Sequence, residues 1–343
     1  MQKLMPTSEI TREEMFNVSK HILVLNGTTE TDAGSVAESL IKAEEVGHSS
    51  HGVIRLLEYT AFVKKGQVLP GVYPQIESDM GSAVTINGNW GWGQLACKLA
   101  LQHAITNKDQ LGVMGITIRH CNHIGRLGEY VETLAENKLA SIMWCNADPA
   151  VAAYGGKSRV LGTNPFAVGI PTDEKPIVLD FATAGVAEGK LRVARAKGEK
   201  VREGLVIDKE GNPSTDPEDF YAGGALLPFG EHKGYGLSLI IDLLGGALSG
   251  NHPALNSKYQ FGNGAVLLVI NPAKFQRYED FQADIVEAST KIRNSPPANN
   301  SYPILLPGDL ENSIRAKNQS TITMSTPIWN SLLELEKELA TKG

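Results

Sequence analysis

Cysteine is scarce in this chain. Its 343 residues include three, Cys97, Cys121 and Cys145, odd in number and widely spaced. They form neither a CxxC pair nor a disulfide framework, so bridges do not staple the fold and a reducing compartment is expected. Positive charge is not in excess either: 32 Lys and Arg against 38 Asp and Glu leave a net charge of −6. A nucleic-acid-binding face is not expected from that balance, although one arginine suffices to hold a small anion. Long apolar runs are missing. The most apolar stretch, GYGLSLIIDLLGGALSG (234–250), is too short, too glycine-rich and too interrupted by Asp242 to span a bilayer. It is expected as a buried helix. The stretch MQKLMPTSEITREEMF lacks the apolar run of a signal peptide, so a cytoplasmic protein without membrane contact is expected.

Familiar chemical signatures are absent too. No GxGxxG follows the first strand; GNWGWGQ (88–94) is glycine-rich at other spacings, and a Rossmann assignment is unsupported. Neither a GxSxG elbow nor a Walker A loop occurs. No internal repeat and no flexible linker divide the chain. With 42% hydrophobic and 20% charged residues it has an ordinary globular composition.

What is present begins with helices. Thr11 and Glu14 form a capping box, followed by Met15, Val18, Ile22 and Leu25 at helical spacing up to Asn26-Gly27. Thr31 is expected to cap a second helix that ends at Gly47, and a third runs from near Gly52 to Gly66. From about residue 80 the pattern alternates. SAVTING, VMGITIRH, LASIMWCN, AVGIP, PIVLDFAT and GAVLLVINP have strand character, while 93–109 and 125–138 have helical spacing. The turn-rich 208–219 is expected as a surface loop, and Thr326-Pro327 opens a final helix running to about Ala340.

Five stretches have residues suited to chemistry. EEVGHSSHGVIRLLEY (44–59) sets two histidines and two serines in a helix connection, with Arg55 and Tyr59 one and two turns beyond His51 on nearly the same face. RHCNHIGRLGEY (119–130) places His120 and His123 after a strand, where α/β sheets usually bind ligands; His123 also suits a plain turn. Thr163 and Asn164 precede Pro165, serving either a structural turn or a ligand. Asp180 ends a strand, and small residues and then a basic run (190–202) follow; the run suits a dinucleotide or a solvated face. His232 and Lys233 open an apolar helix, where an anion can bind. A metal-dependent lyase or hydrolase would draw on the pairs His48/His51 and His120/His123, without the usual ligand spacing. On residue types alone the chain suits a histidine-based acid/base enzyme with an anionic ligand.

Taken together, SHGVIRLLEY (50–59), HCNHIGRLGEY (120–130), GTNPFAVGIP (162–171), LDFATAGVAEGK (179–190), FGEHKGYGLSL (229–239) and LLPGDLE (305–311) resemble the type-2 malate/L-lactate dehydrogenases, in matching order over nearly the whole chain. The resemblance implies an α/β (α+β) fold, a non-Rossmann mixed sheet flanked by helices, its N-terminal helical region joined by the C-terminal helix. It implies one integrated unit over 1–343, with a helical part (1–76 plus 285–343) and a mixed α/β cofactor-binding core (77–284). It also implies a homodimer that uses NAD or NADP, NAD being favoured, on a 2-oxo or 2-hydroxy acid. By position, the catalytic set is His123, His51 and Asp148, and the substrate set is Ser50, Arg55 and Tyr59. Cofactor contacts fall on Thr163, Asn164, Asp180, Phe181, Ala182, Thr183, Ala184, Gly185, Val186, His232, Lys233, Gly308, Asp309 and Leu310. His123 is the expected proton donor, with His51 polarising the carbonyl or binding the carboxylate; Asp148, on reaching a histidine, would hold its tautomer. Two positions depart from the family pattern. Ala184 stands where serine is frequent, and Ala147 where some members have lysine. A non-catalytic ligand-binding relative is the other reading.

Overall fold

The computed structural model describes residues 6–298 and 303–341; Met1–Met5 of the N-terminal stretch lie outside them. The chain starts with β1 (Thr7–Thr11), α1 (Arg12–Leu25), α2 (Glu30–Glu45), a 3₁₀ turn at Ser49–His51, and α3 (Arg55–Lys64). Next come β2 (Gln75–Asp79), β3 (Ala83–Asn87), α4 (Gly93–Thr106), β4 (Val113–Arg119), α5 (Leu127–Glu136) and β5 (Ala140–Cys145). Short strands β6 (Val151–Ala152) and β7 (Arg159–Leu161) precede β8 (Phe166–Ile170), β9 (Ile177–Phe181) and α6 (Glu188–Lys197). Then follow β10 (Val206–Ile207), β11 (Pro213–Ser214), α7 (Pro217–Tyr221), β12 (Ala225–Leu226) and α8 (His232–Asp242), with a π-helical end at Leu243–Leu248. The last elements are β13 (Ala265–Ile270), α9 (Tyr278–Arg293), α10 (Asp309–Lys317), β14 (Thr321–Ser325) and α11 (Thr326–Ala340).

The main sheet has seven strands in the order β2-β3-β4-β13-β5-β8-β9. Only β3 and β4 pair in parallel; the other neighbours are antiparallel. This is a mixed sheet without Rossmann order, as expected. Strand β13 sits at its centre because its six residues, AVLLVI, can be buried on both faces. Helices α4 and α5 cover one face, through Ala96, Ala100, Tyr130, Val131 and Leu134. A second core gathers α1, α2 and α3 with the distant β14 and α11, through Met15, Ile22, Leu40, Leu56, Trp329 and Leu332. Each fully buried aliphatic side chain there contributes about 1.5–3 kcal/mol. Trp92 and Leu95 at the start of α4 also belong to this second core, so α4 joins the helical layer to the sheet. Arg55, Tyr59 and the histidines His51 and His123 collect at that junction.

Local expectations were met where the signal was local. Thr11 caps α1 by accepting from the Glu14 amide at 3.1 Å, and Pro327 opens α11. The cap of α2 is Thr29, not Thr31; its hydroxyl accepts from the Asp32 amide. The segment 208–219 is not simply a loop. Asp208 accepts from the Glu210 and Asn212 amides in a turn between β10 and β11, and α7 starts at Pro217. The stretch 234–250 is not a buried helix: Ile240, Leu243, Leu244 and Leu248 stand open on the single chain, Leu248 being 60% exposed. Among the described residues no helix is long and apolar enough to cross a membrane.

Candidate functional site

The connector after α2 is shaped by Glu44, a residue the sequence reading passed over. Its carboxylate is buried; Oε2 accepts from the Ser49 hydroxyl at 2.6 Å and Oε1 from the Val53 amide at 3.0 Å. The two bonds bracket Ser50, His51 and Gly52. Burial raises the carboxyl's pKa, and the two donors pull it back down. Ser49, unexplained as a sequence feature, is therefore half of the brace. His48 turns the other way, its Nε2 3.4 Å from the Glu311 carboxylate.

The brace presents Ser50 and His51 to His123, which leaves the end of β4. The two imidazole rings stack with centroids 5.5 Å apart and planes 25° apart, and both are half-buried. Ser50 Oγ lies 3.0 Å from His51 Nδ1. The Tyr59 hydroxyl, one face along α3, lies 2.8 Å from His123 Nδ1. Arg55 closes the group: its Nε donates to the Ser50 carbonyl at 2.7 Å and its Nη1 to Glu58 at 2.5 Å. The site thus has an arginine beside two stacked histidines. Burial is the main cause holding both histidines neutral, with the Arg55 charge second. His51 is pushed down to about 3, and His123 lies well below the ordinary range. Burial raises the Tyr59 phenol, so it stays protonated.

Asp148 does not join this group. It is exposed, and its Oδ1 accepts from the Tyr259 hydroxyl at 2.6 Å; no histidine reaches it among the described residues. The turn at Thr163-Asn164 is internally bonded. Asn164 adopts φ +35° and is fully buried, its Nδ2 donating to the Ser238 carbonyl and its Oδ1 accepting from the Ala147 amide. Thr183 is equally committed, its hydroxyl donating to the carbonyls of Thr163 and Asn164. Asp180 accepts from the Gly128 amide at 2.7 Å; burial raises its pKa and the nearby Arg126 opposes that. Phe181 sits between Phe166 and Phe229. Ala182 is half-buried, Ala184 bridges to Pro228, the Gly185 amide donates to the Leu227 carbonyl, and Val186 packs on the cluster that includes Val151, Leu191 and Leu226.

Helix α6, which follows this segment, starts against the Ser49–His51 turn. His232 and Lys233 stand exposed on the first turn of α8, Lys233 without a carboxylate partner among the described residues. Gly308, at φ +93°, caps α10 against Val178. Asp309 pairs with Arg293 at 2.9 Å, and Leu310 is exposed. Arg126, Asp180, Gly308, Glu311 and Arg315 line one narrow cavity. In the basic run, Arg192 pairs with Glu188 and Glu58, and Arg195 with Glu218.

The four histidines of the metal reading do not converge. His48 faces Glu311, His120 faces Asn87, and only His51 and His123 meet. No group of three or more potential ligands is gathered among the described residues. Sequence reasoning missed Glu44, Arg126 and Gln94, which donates to Tyr59. Glu44 left one signal: it follows Leu40 by four residues on the buried stripe of α2, an odd place for a carboxylate.

The sequence profile described as malate/L-lactate dehydrogenase matches residues 10–333. A malate/(S)-sulfolactate dehydrogenase from Methanothermus fervidus is 34% identical over 96% of this chain and 98% of its own length. An L-lactate dehydrogenase from Cupriavidus necator is 33% identical over 94% of this chain and 95% of its own. Among solved structures, the sulfolactate dehydrogenase from Methanocaldococcus jannaschii superimposes with a TM-score of 0.87 at 32% identity, covering 97% of this chain and 98% of that one.

Proposed function

The chain belongs to the malate/L-lactate dehydrogenase family, and on that premise we propose that it moves a hydride between a nicotinamide cofactor and C2 of a 2-hydroxy or 2-oxo carboxylate of the malate or lactate kind, with histidine as acid/base. The observation that carries the proposal is the stacked His51–His123 pair beside Arg55. When bound, the nicotinamide supplies or accepts the hydride. The protein's own residues do the rest.

Arg55 holds the substrate carboxylate. Its Nε hydrogen and one Nη1 hydrogen are engaged by the Ser50 carbonyl and Glu58, which leaves the second Nη1 hydrogen and both Nη2 hydrogens for the carboxylate. Ser50 donates to the carboxylate or carbonyl, and His51 polarises the carbonyl. In reduction, His123 in its protonated form gives a proton from Nε2 to the oxygen on C2; in oxidation it takes that proton back. The Arg55 charge helps to keep His123 neutral. A carboxylate on Arg55 offsets that charge and so shifts the His123 pKa upward, against the larger effect of burial. Asp148 is tied to Tyr259, so no histidine tautomer is assigned to it.

On this reading Asp180–Val186, His232, Lys233 and Gly308–Leu310 would hold the cofactor. Lys233, without a carboxylate partner among the described residues, fits a phosphate at the first turn of α8. Asn164 and Thr183 act through the backbone they hold, since their side chains are consumed internally. NAD is favoured over NADP because the basic run's Arg192 and Arg195 already have carboxylate partners. The open apolar strip at Ile240–Leu248 supports the homodimer, and three free, buried cysteines suit a reducing cytoplasm.

An absorbance screen of 2-oxo acids, including malate-, lactate- and sulfolactate-derived ones, with NADH and NADPH in parallel tests the proposal. Oxidation of NADH by at least one acid is expected. Binding of NADH without turnover across the panel would instead identify a non-catalytic relative, and stoichiometric Zn or Mn with no dehydrogenase activity a metal enzyme.

A further inference from the structure

The glycine-rich stretch GNWGWGQ binds no phosphate in this account, yet it ends on a residue aimed at the acid/base pair. Gly93 lets α4 begin directly against the backbone of Asn122 and His123, where any Cβ would collide with the Asn122 carbonyl. The next residue, Gln94, is fully buried. Its Nε2 donates to the Tyr59 hydroxyl at 2.8 Å, and that hydroxyl lies 2.8 Å from His123 Nδ1. Since Tyr59 Oη receives a hydrogen from Gln94, its own hydrogen is available for Nδ1. A neutral His123 in this arrangement carries its proton on Nε2.

An acid/base histidine must also exist with both nitrogens protonated. Nδ1–H then becomes a donor, Tyr59 Oη must accept it, and the hydroxyl hydrogen needs a different acceptor. Gln94 has one. An amide offers a donor at one end and an acceptor at the other, and Gln94 Oε1 is buried with no hydrogen-bond partner among the described residues. Turning the amide over therefore sacrifices no other bond, and it presents Oε1 to Tyr59.

We propose that Gln94 is a positioning residue for His123: relayed by Tyr59, its amide turns over as His123 gains and loses a proton, so that Nδ1 stays hydrogen-bonded in both states. No proton travels along the relay, because Tyr59 keeps its hydroxyl hydrogen throughout. The other charged or titratable groups facing the pair are Arg55 and His51 around His123, and Arg55, Glu58 and Cys121 around Tyr59. The proposal rests on the acid/base role given to His123.

The test reads the tautomer directly, by ¹⁵N NMR of ring-labelled histidines in the ligand-free protein near neutral pH, with the His123 signals assigned by their loss in His123→Asn. The wild-type protein is expected to show the Nε2–H form. Gln94→Leu is expected to lose that preference and show both tautomers. Its kcat should fall about tenfold, the equivalent of one lost hydrogen bond, with KM and NADH affinity nearly unchanged because Gln94 touches neither ligand. A predominant Nδ1–H form in the wild type, or an unaltered tautomer in Gln94→Leu, would overturn the proposal. Should Gln94→Leu fail to fold, Tyr59→Phe keeps the ring on Trp92 and removes the relay; an unaltered tautomer there overturns it equally. The spectra need neither cofactor nor substrate. An absence of 2-oxo acid turnover alongside the expected tautomers would thus defeat the proposed function while leaving the relay in place.

Discussion

Glu44 occupies the space that a side chain on residue 52 would need: a Cβ built on Gly52 collides with Glu44 Oε1. The same carboxylate holds Ser49 and Val53, so the turn carrying Ser50 and His51 is shaped from beneath. Glu44→Ala should cost about 1–3 kcal/mol of stability, since it leaves the buried Val53 amide without an acceptor. Gly52→Ala should lower kcat/KM for the 2-oxo acid while sparing NADH affinity. Chemical denaturation with steady-state kinetics checks both, and a Gly52→Ala enzyme with normal kcat/KM would contradict this account of the brace.

His123→Ala should lower kcat about 10²–10⁴-fold, the range for loss of a general acid or base. His51→Ala should weaken substrate polarisation and raise KM, while keeping the ionisation that governs kcat. A His123→Ala enzyme with near-wild-type turnover and pH profile would transfer the proton to another group. Single-turnover kinetics against pH separates these cases.

Arg55→Lys exchanges a planar fork for a point charge. KM for the 2-oxo acid should rise roughly 10–100-fold, as expected when a bidentate charged contact worth about 1.5–3 kcal/mol is lost. Because the Glu58 carboxylate already pairs with Arg55 and repels a second carboxylate there, Glu58→Gln should lower that KM. Inhibition by a non-reactive carboxylate gives an independent reading, and tighter inhibition of Arg55→Lys would count against the assignment.

Stability should depend on pH in a defined direction. The folded-state pKa of His51 is depressed to about 3 and that of His123 lies below its ordinary value of 6.5, mainly through burial. Below pH 6.5 the unfolded chain therefore binds more protons than the folded one, and stability falls as pH drops from 6.5 toward 3. Above 6.5 the two histidines contribute no slope. The buried Glu44 and Asp180, with raised pKa values, act in the opposite sense above the ordinary carboxylate range. The combined variant His51→Gln/His123→Gln should thus flatten the loss of Tm between pH 6.5 and 5; an unchanged Tm profile would show that these rings titrate normally.

Much of the fold was legible because its signals are local. The β-branched runs at 113–119 and 265–270, the Thr11 cap and the Thr326-Pro327 start each fall within a few residues. The β1–β14 pair was not legible, since Thr7 meets Ser325 across more than three hundred residues. Helix α9 is largely exposed and has little apolar stripe to read. The two-residue strands β6, β10, β11 and β12 are too short for any periodicity.

The connector, the helical spacing of Arg55 and Tyr59 after His51, and the histidine at the end of β4 belong to the sequence alone, because chain geometry over one or two turns follows from residue order. The partners of these groups were decided by the tertiary structure. It set His123 against His51 and Tyr59, put Gln94 behind Tyr59, turned Asp148 to Tyr259, and left the apolar strip after His232 in the open. Hydrogen bonds and charge interactions act over a few ångströms of space. The residues that set the histidines' protonation lie up to 75 positions from them along the chain, and only the tertiary fold brings them within reach.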